Sequence, residues 1–97
     1  MLFRSLVFKV AGKMFVLVPL DEEALKFSFK CDPEEVLRLR EEHASVAPAF
    51  HMNKTHWNTV TVDGSVDDRL LFDWIDHSYE QVVKGLPKKI KAGLAQH

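Results

Sequence analysis

Ninety-seven residues, 46% of them apolar and 28% charged, make one domain with one hydrophobic core and leave no room for a second. The formal net charge of −1 excludes a surface that is basic all over, and a single cysteine excludes an intrachain disulfide. No apolar run is long enough to span a bilayer, and Arg4, Lys9 and Lys13 interrupt the N-terminal stretch where a secretory leader would need it unbroken, so a cytoplasmic protein is expected.

The first elements are strands. Residues 5–10 (SLVFKV) and 13–18 (KMFVLV) are rich in β-formers around the short turn Ala11-Gly12, which reads as a hairpin. The second run is apolar on both faces, the mark of a central strand covered on both sides. After an acidic loop over 19–24, Leu25, Phe27, Phe29 and Cys31 alternate with Lys26, Ser28 and Lys30, which predicts a half-buried strand with Cys31 as a core residue. Asp32-Pro33-Glu34-Glu35 then starts a helix, with Asp as N-cap, Pro at the first helical position and a Glu three residues after the cap. That helix is predicted over 33–44, with Val36, Leu37 and Leu39 inward and Glu34, Arg38 and Glu42 as an exposed charge ladder.

Residues 45–49 read as a loop, and two short strands are expected within 50–63 around Asn53-Lys54-Thr55, the second of them the alternating run from Trp57. Asp63-Gly64 ends it with turn chemistry. Ser65, Asp67 and Asp68 open a long helix to Lys84, whose apolar face holds Leu70, Leu71, Trp74, Ile75, Ser78, Val82 and Val83. Gly85 stops it, and Pro87 begins a short terminal helix through Leu94.

Charge is divided along the chain. Arg4, Lys9 and Lys13 stand before Asp21 with no acid among them, Lys84, Lys88, Lys89 and Lys91 follow Glu80 likewise, and all fourteen acids lie between. A fold that brings the ends together would make a local basic patch.

Four stretches carry a family resemblance: residues 6–15 (LVFKVAGKMF); 30–33 (KCDP); 48–60 (PAFHMNKTHWNTV); and 76–79 (DHSY) with 86–89 (LPKK). Taken in order they span nearly the whole chain, and it resembles the MmcQ/YjbR family on their strength. The resemblance implies an α+β fold of two layers, an antiparallel sheet of about five strands packed with two to three helices, similar to the secretion-chaperone-like class. It implies DNA binding, and an N-terminal helical segment before the first strand, where here Met1 falls almost at that strand.

Several constellations suit more than one role. His51, His56 and His77 with nearby aspartates suggest a metal site, but no close set of four ligands forms, and no metal or cofactor is expected. Asp73 and His77 have the spacing of a helix-surface ion pair, and Ser78 cannot complete a triad with them because consecutive helical residues point about 100° apart. Trp57 with His56 and Lys54 has the character of a stacking platform beside a cation; it equally suits a residue closing one end of the core. Asn58 suits either a base edge or a backbone partner. Lys84 has a structural excuse at a helix C-terminus, whereas Lys88 and Lys89 in the first turn of the next helix have none. The expectation is therefore a non-enzymatic DNA-binding domain. Lys9, Lys13, Lys54, Lys84, Lys88, Lys89 and Lys91 would meet phosphates, and His56 and Trp57 would meet bases or sugars. A protein-interaction module is the alternative. A homodimer is also expected, because Phe15 and Leu17, with Phe3 and Val7, would otherwise leave an apolar patch in water.

Overall fold

The computed structural model describes residues 4–49 and 52–95. Its strands are β1 (Ser5–Val10), β2 (Lys13–Pro19), β3 (Lys26–Lys30), β4 (Val46–Pro48) and β5 (Trp57–Thr61). Its helices are α1 (Pro33–Glu42), α2 (Asp68–Lys84) and α3 (Lys88–Ala95). All strand pairs are antiparallel, in the order β1-β2-β3-β5-β4, so β1 and β4 are the outer strands. α2 lies across β2 and β3 and α1 across β4 and β5. One apolar cluster joins both helices to the same face of the sheet, with Phe29 stacked on Trp74 at 5.3 Å between centroids. The expected α+β two-layer architecture, a five-stranded sheet with three helices, is the one observed.

Local chemistry explains the ends of the elements. Ala11 and Gly12 both have positive φ, 50° and 78°, as a two-residue type I′ hairpin requires. Asp32 accepts the Glu34 N–H at 3.0 Å and Pro33 follows it, so α1 starts where its capping residues place it. It stops at Glu42, two residues short of the expected end. Asp67 is the N-cap of α2, and Gly85 closes it by donating its N–H to Val82 and Val83 carbonyls.

Four expectations are corrected. β4 lies at Val46–Pro48, inside the stretch read as a loop, because Val46 pairs with Val60 and is buried; only β5 follows Asn53-Lys54-Thr55. Residues 53–57 form a turn, with the Asn53 carbonyl accepting the His56 and Trp57 N–H groups, and Phe50 and His51 lie outside the described residues. Leu37 is 63% exposed, since it stands a helical step away from the Val36 and Leu39 stripe. Leu25 is exposed too, and lies just before β3 rather than within it.

The fourth correction concerns Phe15. Phe8 faces Val16 and Lys9 faces Met14, so Phe15 is the extra residue of a β-bulge. The bulge breaks the alternation and turns Phe15 to the helix side, where it packs on the core cluster and meets Tyr79 edge-on at 5.3 Å. Phe15 does not share a face with Leu17, and Phe3 lies outside the described residues.

Candidate nucleic-acid interface

The sheet opens at one corner. β2 and β3 pair only through Val16↔Phe29 and Leu17↔Ser28. Beyond Phe29 the next rung is supplied by a side chain: the Ser78 hydroxyl accepts the Lys30 N–H at 2.7 Å and donates to the Phe15 carbonyl at 2.6 Å. The bulge leaves that carbonyl without its ladder partner, and a helix serine reaches in to take it. Lys13 and Met14 then diverge from Lys30. The wedge between them is a hollow of about 280 Å³, lined by Lys13, Met14, Lys30, Trp57 and, from the end of α2, Val82, Gly85 and Leu86.

Trp57 reaches this hollow because it stands opposite Lys30 at the start of β5. It is half-buried and so keeps part of its surface open to a ligand. The cations beside it are Lys13 and Lys30. Lys54 lines a separate hollow with Pro33, Val36, Leu37, Arg40 and Thr55. Lys30 is not among the phosphate-binding candidates read from the sequence, although it opens the family stretch 30–33. Its place opposite Trp57 depends on strand register, which alternation cannot supply.

The turn that carries Trp57 is held from behind. Arg40 donates to the Lys54 carbonyl and to Asn58 Oδ1, both at 2.6 Å, and to the Trp57 carbonyl at 3.4 Å. Asn58 is fully buried and donates to the Val36 carbonyl at 3.1 Å, which leaves it no access to a base edge. His56 is half-buried, and its carbonyl accepts the Cys31 N–H at 2.7 Å. His77 Nε2 accepts the Asp32 N–H at 3.3 Å, so the imidazole faces the start of α1. Among the described residues no group of three His, Cys, Asp or Glu side chains is placed to hold a metal ion, and His51 lies outside them.

Lys84, Lys88 and Lys89 are exposed and Lys91 is half-buried. They flank the turn of Gly85, Leu86 and Pro87, two residues of which line the hollow. The first turn of α3 contains no acid, so its lysines add to the positive end of that helix. Lys9 is exposed on β1 opposite Met14, at the same end of the hairpin as Lys13. Arg4 stands at the other end of β1, six residues and about 20 Å from Val10. No described helix is long and apolar enough to cross a membrane.

A family model described as YjbR matches residues 2–81. A protein of Escherichia coli K12 described as uncharacterized protein YjbR is 39% identical over 88 residues, which are 91% of this chain and 75% of that one. Uncharacterized protein YbdF of E. coli O157:H7 is 36% identical over 83 residues, 86% of this chain and 68% of that one. Among solved structures, Deinococcus radiodurans protein DR2400, with a domain described as DUF419, superposes with a TM-score of 0.81 at 36% identity, covering 94% of this chain and 67% of that one. A Pseudomonas syringae protein superposes with a TM-score of 0.67 at 28% identity, over 76% and 73% of the two chains.

Proposed function

Because the chain belongs to the YjbR family, its fold is shared with proteins that supply no activity for it, and from its own surface we propose that it is a non-enzymatic DNA-binding domain acting at the open corner of the sheet. The observation that supports this is the meeting of Lys13, Lys30 and Trp57 in one hollow with the α2–α3 turn. Lys84, Lys88, Lys89 and Lys91 extend the positive charge beyond it. Two cations beside a half-exposed indole suit a phosphate backbone with one base stacked on the ring. The α3 N-terminus, which follows the Gly85–Pro87 turn, also favours an anion. Lys9 extends the charge along the hairpin, while Lys54 and His56 act through the turn that positions Trp57. The setting is the cytoplasm, where a lone buried thiol such as Cys31 stays reduced.

Phosphate contacts carry most of the affinity in this reading. With about four to six phosphates neutralised, the logarithm of the binding constant should fall against the logarithm of salt concentration with a slope of about −4 to −5 on duplex DNA. Fluorescence anisotropy at low salt, with Lys88→Glu and Lys89→Glu combined, is the test. Binding that fails to appear at low salt, or that survives the double charge reversal unchanged, would sink the proposal. A polypeptide-docking role is the second reading, favoured by an apolar groove of about 510 Å³ between the hairpin and α2. It predicts partners that remain bound after nuclease treatment and at high salt.

A further inference from the structure

β1 is an outer strand with an apolar free side. Leu6, Val7 and Phe8 are 50%, 43% and 48% exposed. A strand of this kind is ordinarily shortened, charged or covered, because its unpaired N–H and C=O groups are a template for another strand. The ladder tells which groups those are. The Leu20 N–H donates to the Arg4 carbonyl at 2.8 Å, so that pair is a hydrogen-bonded position of the β1–β2 ladder. Such positions alternate along an antiparallel pair. Leu6 and Phe8 therefore turn their backbone groups to β2, and Ser5, Val7 and Lys9 turn theirs outward.

From this we infer that two copies of the chain pair through β1, antiparallel across a two-fold axis at Val7, joining two five-stranded sheets into one. With the axis there, Val7 meets Val7 of the partner subunit and Ser5 meets Lys9 of the partner subunit. This register engages all three outward-facing residues of the strand, and moving the axis to Leu6 or Phe8 loses one of them. It sets Phe8 beside Leu6 of the partner subunit, a favourable aromatic–aliphatic cross-strand pair. Phe8 lines the lip of the apolar groove, together with Val18, Phe72 and Ile75, so the second copy covers the edge of that groove.

Charge selects the antiparallel arrangement. At the Ser5 end the acidic loop of Asp21, Glu22 and Glu23 is tied to the strand, since the Arg4 N–H donates to Asp21 Oδ2 at 2.8 Å. At the other end stand Lys9 and Lys13, both exposed. Antiparallel pairing brings each acidic loop toward the lysines of the other copy, whereas parallel pairing sets like charge beside like.

The pairing is tested on the intact chain by light scattering and amide exchange. At roughly 50 µM, a concentration at which a specific dimer persists, the mass should be twice 11.2 kDa. Val7→Pro removes an N–H that β2 does not use, so it should return the mass to that of one chain with an unchanged circular dichroism spectrum. If that variant unfolds, the wild-type protein still decides. The Val7 amide should be protected at high concentration and exchange freely on dilution, while the Leu6 and Phe8 amides stay protected throughout. A single-chain mass at that concentration, or a dimer in which the Val7 amide exchanges freely, would overturn the inference.

Discussion

A serine on the buried stripe of a helix forfeits the apolar contact its neighbours make, and Ser78 is buried completely among Trp74, Val82 and the strands beneath. Its hydroxyl recovers the loss by standing as a rung between the Phe15 carbonyl and the Lys30 N–H. Ser78→Ala would leave both backbone groups without a partner at about 1 to 3 kcal/mol each, so urea unfolding should show a loss of about 2 to 6 kcal/mol. The chain register at Trp57 should loosen with it. Cys31 makes the opposite case, a group whose chemistry is silenced by its place. Burial pushes its thiol from the ordinary 9.0 up to about 12, against a weak lowering contact from the Asn58 amide. The folded form holds the proton longer than the unfolded form does. The stability due to this is complete below about pH 9 and is lost as pH rises from about 9 to about 12. The free energy difference between the native chain and Cys31→Ala should shift against the native chain across that window in parallel denaturant titrations. Alkylation of the thiol at pH 8 should require unfolding.

At the scale of elements, the hairpin shows a compromise that can be measured. A type I′ turn needs positive φ at both central positions, where Gly12 fits at no cost and Ala11, at 50°, does not. The left-handed conformation costs an alanine roughly 1 kcal/mol or more, and asparagine tolerates it better. Ala11→Asn should therefore raise the thermal midpoint by about 3 to 6 °C in a chain of this length, read by circular dichroism. One turn beyond, the bulge at Phe15 reorganises the strand. It swings one aromatic ring from the open face to the helix, frees a carbonyl for Ser78, and starts the divergence of β2 from β3 that opens the hollow. The open face is thereby left with Leu17 beside the hydroxyl pair of Ser28 and Thr59, which lie 2.7 Å apart. A single inserted residue thus decides both which face is apolar and where the candidate interface lies.

For the whole molecule, net charge is a poor guide because the fold sorts it. β1 runs the length of the sheet, so Arg4 and the lysines of the hairpin tip stand at opposite ends even though they are neighbours in sequence. Lys13 is brought instead to Lys30 and to the turn before Lys88. In the same anisotropy titration, Lys13→Glu should weaken DNA binding as Lys88→Glu and Lys89→Glu do. Arg4→Glu, about 20 Å away along the strand and beyond the Debye length at physiological salt, should leave it within a factor of about two. Equal losses from Lys13→Glu and Arg4→Glu would mean a diffuse electrostatic attraction and no interface at the corner.

Much of this molecule is written in local chemistry. The hairpin, the start of α1 at Asp32-Pro33, the phase that buries Phe27, Phe29 and Cys31, and the long α2 stripe with its stop at Gly85 follow from side-chain period, capping and turn preference. Each involves residues only a few positions apart, so the amino-acid order alone determines them. The family resemblance added the two-layer fold. β4 escaped notice because three residues ending in proline carry no period, and Val46 becomes a strand residue only by facing Val60. Alternation likewise placed Phe15 on the wrong face, since a bulge is a property of two strands and of the helix serine that accepts its consequences. The lysines of the termini were visible, but their partners were not. That Lys13 meets Lys30 and Trp57, while Lys54 turns to another hollow and Asn58 is sealed behind Arg40, depends on pairing register and helix packing. Those contacts join residues tens of positions apart and are decided only when the sheet closes on its core.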